Sequence, residues 1–214
     1  IPLMEVPKID FKIEPVAESE QNKSIIPLAS GNTWEYSVEF FEKNNDNRTY
    51  SIKLGNPKEI TLSINNPVTL SSYPLIFEHS DNENYFYTAH KTGVIGINYI
   101  KYLDESASKY VPDLVFFQDT AKYDIKYNSV YEGTRVVATK KGDFKCQVIK
   151  HFEKSAQDGF AELDTTRLHQ YDYSLVYIAP GVGIIQTEKF VRNKRAKGFA
   201  VSSKVILTDY KLSE

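Results

Sequence analysis

The side chains best suited to catalysis or metal binding in this 214-residue chain are four histidines, His79, His90, His151 and His169, and one cysteine, Cys146. No two histidines stand at i, i+2 or i, i+4, the spacings that aim two imidazoles at one metal, so they read as ordinary surface or half-buried residues. Asp81 and Glu83 lie two apart in "SDNENYFY", without the glycine and closing glutamate of a calcium loop, and read as a polar turn. Cys146 falls between Phe144 and Val148 on the apolar phase of a strand, where a thiol behaves as a small hydrophobe. A nucleophilic thiolate needs an electropositive, accessible setting instead. There is no Gly-x-Ser-x-Gly elbow and no acid, base and nucleophile trio at recognisable spacing. The expectation is a protein that is not an enzyme, with no cofactor and no metal.

Gly181-Val182-Gly183 in "YIAPGVGIIQTE" invites comparison with a nucleotide loop. A dinucleotide fingerprint would place a third glycine at position 186, which is Gln186, and would open a capped helix that the following residues do not encode. A hairpin fits better. Pro180 presets a turn entry, Gly181 can adopt φ > 0, and Gly183 lets a backbone or an aromatic ring come close.

Two groups remain as binding candidates. Arg192, Lys194, Arg195 and Lys197 form the densest basic cluster, in "VRNKRAKG" between two strands. They read either as a solvated hairpin tip or as a contact for anionic headgroups or an acidic partner. Tyr171, Tyr173 and Tyr177 would bind a ligand or a partner if they line a concavity, because tyrosine offers a rigid ring with a polar tip.

The elements around these residues are strands. Trp34, Tyr36, Val38 and Phe40 alternate with Glu35, Ser37 and Glu39, and Tyr50, Ile52 and Leu54 resume the pattern after the polar "EKNNDNR". "NYFYTAHKTGVIGINYIKYL" reads as a hairpin about Lys91-Thr92-Gly93. Segments from "LVFF" to "VILTDYKL" continue in the same period. "DESASKY", with Asp104 as N-cap and Pro112 beyond it, predicts one short helix. Residues 1–24 predict an extended N-terminal tether or edge segment, and residues 25–214 a single β-rich domain. The fold class is all-β, mainly antiparallel. Roughly nine to twelve strands in one sheet must curl, giving a single strongly curved sheet, open or half barrel, with at most one or two short helices.

The totals agree. Lys and Arg number 26 against 28 Asp and Glu, a net charge of -2, which provides no field for nucleic acid. No apolar run approaches the roughly 18 residues of a spanning helix, so no transmembrane segment is expected. Fifteen tyrosines and twelve phenylalanines favour pleated, half-buried surfaces. A single cysteine forbids an intramolecular disulfide. Because the chain starts at Ile1, a removed N-terminal segment is expected, either a signal peptide or a lipid-bearing tether. The sequons at Asn22 and Asn47 would matter only in a eukaryotic secretory pathway.

Four short pieces, "PLASGNTWEY", "TKKGDFKCQVIK", "YIAPGVGIIQTE" and "VILTDYKL", occur in an order that resembles a loosely defined group of bacterial secreted proteins and lipoproteins of unknown function. The resemblance covers Gly31-x-x-Trp34-x-Tyr36, Gly142-x-Phe144, the Ala179-Pro180-Gly181-Val182-Gly183 hairpin and Leu207-x-x-Tyr210. It implies a curved antiparallel sheet similar to the half-barrels of lipoprotein carriers, and an exported protein, periplasmic or membrane-anchored. This chain encodes fewer helices than those carriers use to plug the concave face. Two functions follow as expectations. One is a noncatalytic envelope protein binding a lipid or other apolar or amphipathic ligand in the curve of its sheet. The other is an interaction or structural module for an envelope protein partner, using strand edges and tyrosines.

Overall fold

Period-two alternation becomes twelve strands among the residues the computed structural model describes, which are 9–41, 47–78, 80, 83–101, 103, 108–153, 163–193 and 198–213. They are β1 (Thr33–Phe40), β2 (Arg48–Leu54), β3 (Lys58–Leu62), β4 (Val68–Phe77), β5 (Tyr85–His90), β6 (Gly93–Ile100), β7 (Lys109–Phe117), β8 (Ser129–Thr139), β9 (Gly142–Phe152), β10 (Tyr173–Ala179), β11 (Gly183–Asn193) and β12 (Gly198–Lys211). The described helical pieces are α1 (Glu18–Gln21) and short 3-10 turns at Thr120–Lys122, Ile125–Tyr127 and Thr165–Gln170. Their starts at Asp119, Asp124 and Asp164 are capped by the aspartate carboxylates, which accept the backbone N–H two residues on.

The helix expected over "DESASKY" is not borne out at its described end. Asp104 and residues 105–107 lie outside the described residues, and Lys109 and Tyr110 open β7 instead. The tyrosine ring decides this locally: Tyr110 packs against Tyr99 at 4.7 Å and edge-on against Phe86 at 5.6 Å, which a sheet provides and a two-turn helix does not.

The strands form one open sheet in the order β3-β7-β6-β5-β4-β2-β1-β12-β11-β10-β9-β8. Pairing is antiparallel except for a parallel bridge from Leu62 of β3 to Tyr110 of β7. Because β3 also pairs with β4, strands β3–β7 wrap around a core of their own, built from Ile60, Leu62, Leu70, Phe86, Ile95, Val115 and Phe117. The long strand β4 serves both halves of the sheet. Val68–Ser72 pair with β3, Tyr73 and Pro74 with β5, and Leu75–Phe77 with β2. Pro74 sits where the partners change, a place where a missing N–H is tolerated.

A second core draws on both halves, with Leu75, Val94 and Phe116 from one and Trp34, Cys146, Ile149, Val176, Ile178 and Leu207 from the other. Ile25 and Leu28, ahead of β1, are buried in it. Of residues 1–24, read from sequence as an extended tether or edge segment, residues 9–15 run along the β3–β7 core and lead into α1. Ile9 is buried, Phe11 stacks on His90 at 5.5 Å, and Pro15 makes an isolated antiparallel bridge to His90.

Candidate functional site

The β10–β11 hairpin is architectural, as its glycines predict. Pro180, Gly181 and Val182 form the turn, the Val182 N–H donates to the Ala179 carbonyl at 3.0 Å, and Gly181 and Gly183 adopt φ of +82° and +115°. A Cβ on Gly183 would lie 3.2 Å from Nε1 of Trp34. The close approach is used. Trp34 Nε1 donates to the Val182 carbonyl at 2.7 Å, and the Tyr36 hydroxyl donates to the Ile184 carbonyl at 2.9 Å.

All four ordered motifs meet here. Trp34 of β1 pairs with Tyr210 of β12, whose ring lies 6.2 Å from that of Phe144 on β9. Lys141, in the turn before Phe144, forms an ion pair with Asp209 at 2.6 Å. Asn32, fully buried, donates to the Pro27 carbonyl at 2.9 Å and accepts the Ser213 N–H at 2.7 Å. The spaced motifs are therefore fastenings of a single junction, and their residue types answer to packing and backbone satisfaction.

The three tyrosines read as binding candidates take separate places. Tyr171 follows the 3-10 turn and donates its N–H to the Leu168 carbonyl. Tyr173 is half-buried, stacked on Phe190 at 4.7 Å and edge-on to Phe199 at 5.1 Å, with the Lys150 ammonium 4.1 Å from its ring. Tyr177 is buried; its hydroxyl donates to Glu188 at 2.8 Å and lies 3.4 Å from Arg135, and burial first, then Glu188, pushes its pKa up to about 12. Of the basic cluster, Arg192 lies near the exposed end of β11 with its N–H on the Asp172 carboxylate at 2.9 Å. Lys194, Arg195 and Lys197 lie outside the described residues.

The histidines do not gather. His79 lies outside the described residues, and His169 is exposed in the 3-10 turn. His90 is buried under Phe11, its Nδ1 2.9 Å from the Thr92 hydroxyl and its Nε2 without a partner. Burial holds its pKa down at about 4. Cys146 is fully buried, and burial pushes its thiol up to about 11. Among the described residues no three of His, Cys, Asp and Glu are placed to share a metal.

Where the two halves of the sheet face each other there is a small cavity of about 80 Å³, lined by Trp34, Tyr36, Tyr50, Tyr87, Leu75 and Ile184 among others. Burial raises the pKa of all three tyrosines, that of Tyr50 to about 12. Sequence reasoning missed this trio. Tyr36 and Tyr50 are cross-strand partners with rings 5.3 Å apart, and that register was the available signal; Tyr87 arrives only through the curl of the sheet.

A polar seam runs between β7 and β9. Gln147 approaches the Gln118 carbonyl at 3.5 Å, and His151 and Asp113 act on each other electrostatically farther along. Burial lowers the His151 pKa against the pull of Asp113 and Glu153, and burial raises that of Asp113 against His151 and the Asn98 amide. Asp113 itself keeps contact with solvent, while the protein around it displaces part of its hydration. His151 Nδ1 lies 3.1 Å from the Ser129 hydroxyl, and Glu153 is held by Ser174 and Lys189, each at 2.8 Å. Ser129 is fully buried, so this arrangement holds β8 to β9 and offers no accessible nucleophile.

No family model and no curated protein matches the sequence. Among solved structures, the chain is similar to the crystal structure of a candidate lipoprotein from Parabacteroides distasonis, with a TM-score of 0.48 and 10% identity over 88% of this chain and 99% of that one. It is also similar to a candidate exported protein with a YmcC-like fold from Bacteroides fragilis, with a TM-score of 0.42 and 12% identity over 89% and 100% of the two chains.

Proposed function

We propose that this protein is an exported, noncatalytic module of a bacterial cell envelope that holds another protein against its sheet. The observation that carries this reading is the filling of the curve by the protein's own side chains. Trp34, Ile25, Ile178 and Leu207 are buried there, and the space left beside them is about 80 Å³. A site for a drug-sized or larger apolar molecule needs roughly 300 to 1,000 Å³. The noncatalytic part is supported by the occupied state of the reactive groups: Cys146 is buried with a raised pKa, and His90 lies under Phe11. Export, to a periplasmic or membrane-anchored position, is supported by the four ordered motifs that resemble secreted proteins and lipoproteins.

A second reading, an apolar or amphipathic ligand in the curve, is favoured by the convergence of Tyr36, Tyr50 and Tyr87 on one cavity. One experiment separates the two: native mass spectrometry of protein purified without detergent, before and after solvent extraction. The interaction module gives a bare chain or a clean oligomer. An added mass that extraction removes overturns it in favour of the ligand reading.

A further inference from the structure

Among the described residues, strand β8 ends the sheet as a free edge. Among them it pairs with β9 alone, through ten of its eleven residues, while at the opposite end of the strand order β3 is joined to both β4 and β7. An edge of that length is a template for pairing with another strand, and soluble proteins blunt such edges with bulges, charges or proline. In β8 the bulge lies in the first half, where Glu132 stands between Tyr131 and Gly133, and Gly133 takes φ of +110°; the second half carries Arg135 as its one charge. From Thr134 to Thr139 the register with β9 is unbroken. Thr134, Val136 and Ala138 share one exposed face there, and Val136 is 67% exposed although it is a large apolar residue in a regular strand.

The charge around this stretch says what fits. Residues 129–146 carry Arg135, Lys140, Lys141 and Lys145 against Glu132 and Asp143; with Lys141 paired to Asp209, three cations stand against two acids, in a chain whose net charge is -2. Lys145 stands opposite Val136 in the ladder, and both Lys140 and Lys145 are exposed. A second copy paired edge to edge would bring these cations against themselves. An extended segment that alternates apolar and acidic residues meets both needs, satisfying the open backbone groups while its carboxylates face the lysines.

We infer that β8 is a docking edge for an extended acidic peptide segment of a partner protein, which adds to the sheet as a thirteenth strand beside Thr134–Thr139. The assignment rests on the interaction-module reading and names its partner class.

The test uses a fluorescein-labelled peptide of alternating valine and glutamate, followed by anisotropy with the full chain. Two controls replace every glutamate by lysine or interrupt the acidic peptide with central prolines. Saturable binding of the acidic peptide alone is expected, weakened by salt. Val136→Pro should reduce affinity by about tenfold or more, through a disrupted edge ladder. Because that variant can unfold the hairpin, Lys140→Glu with Lys145→Glu provides an independent arm, expected to reduce affinity by about three- to tenfold without loss of the β-sheet circular dichroism signal. Equal binding of the lysine or proline peptide, no binding of the acidic one, or a β8-dependent dimer in solution would each overturn the assignment. If the peptide fails while native mass spectrometry shows a bare chain, β8 is not the docking edge and the module reading stands; an extractable mass removes the module reading itself.

Discussion

The indole N–H of Trp34 donates to the carbonyl of Val182, 148 residues later in the chain, at 2.7 Å. The contact joins the first strand to the turn of the β10–β11 hairpin, and it exists because Gly183 presents no side chain to the ring. Together with the Tyr36–Ile184 hydrogen bond, this contact and the missing Cβ fasten β1 to the far hairpin.

Trp34→Ala should destabilise the protein by about 3 to 5 kcal/mol, the usual loss for a large buried aromatic. Trp34→Phe keeps most of the packing but leaves the Val182 carbonyl unsatisfied, for a loss of about 1 to 3 kcal/mol. Urea unfolding of the three proteins measures both. Equal stability of the phenylalanine variant and the parent would show that the hydrogen bond contributes nothing.

The two turn glycines separate backbone strain from crowding. Gly181→Val meets open space at φ of +82°, so only the backbone conformation opposes it, at about 1 to 3 kcal/mol. Gly183→Ala meets the same conformational penalty at φ of +115° and also crowds Trp34. The smaller substitution is therefore expected to lower the melting temperature at least as much as the larger one, and a tolerated Gly183→Ala would mean the ring can move aside.

His90 makes stability depend on pH. Its folded pKa of about 4 lies below the ordinary 6.5 because burial disfavours the charged imidazole, with the Lys122 charge adding to the effect. The unfolded chain therefore takes up the proton first. Stability is whole above pH 6.5, declines as pH falls below it, and reaches its full loss of about 3 kcal/mol below pH 4. The Thr92 hydroxyl lies 2.9 Å from the ring's Nδ1 and Phe11 stacks on its face, while the Lys122 charge acts on it electrostatically. Comparing acid titrations of the parent and His90→Gln isolates the histidine share; parallel curves would remove it.

Cys146 should be chemically silent in the native state. A thiol raised from 9.0 to about 11 holds about 100-fold less thiolate at pH 8, and its burial excludes the reagent as well. Iodoacetamide should label it only after unfolding. Rapid native labelling would show that β9 opens readily.

Much of this architecture was legible because alternation is a local property. Trp34, Tyr36 and Val38 are buried where Glu35 is exposed, and the Lys91-Thr92-Gly93 hairpin lies between β5 and β6 as its turn residues imply. Phe40 belongs to the same phase but is 37% exposed, since it lies at the strand end beyond the core, with the Arg48 guanidinium 5.9 Å from its ring centre. What alternation cannot encode is which strands meet. The bulges at Glu35/Tyr36, Tyr177/Ile178 and Lys189/Phe190 change which side chains share a face. For that reason the Tyr36, Tyr50 and Tyr87 cavity, and the seam holding Asp113 near His151, could not be assembled from spacing.

The pairing of β1 with β12 also sets an order of events. Strand β1 lies between β2 and β12, and the Asn22 amide reaches the Ser213 carbonyl across 191 positions. Nascent chains emerge from the N-terminus, so residues 33–40 leave the ribosome long before their partner at 198–211 has been translated. Contacts of such separation close slowly. The centre of this sheet is completed only after translation has passed Lys211, and until then the chain travels with an open flank at β1.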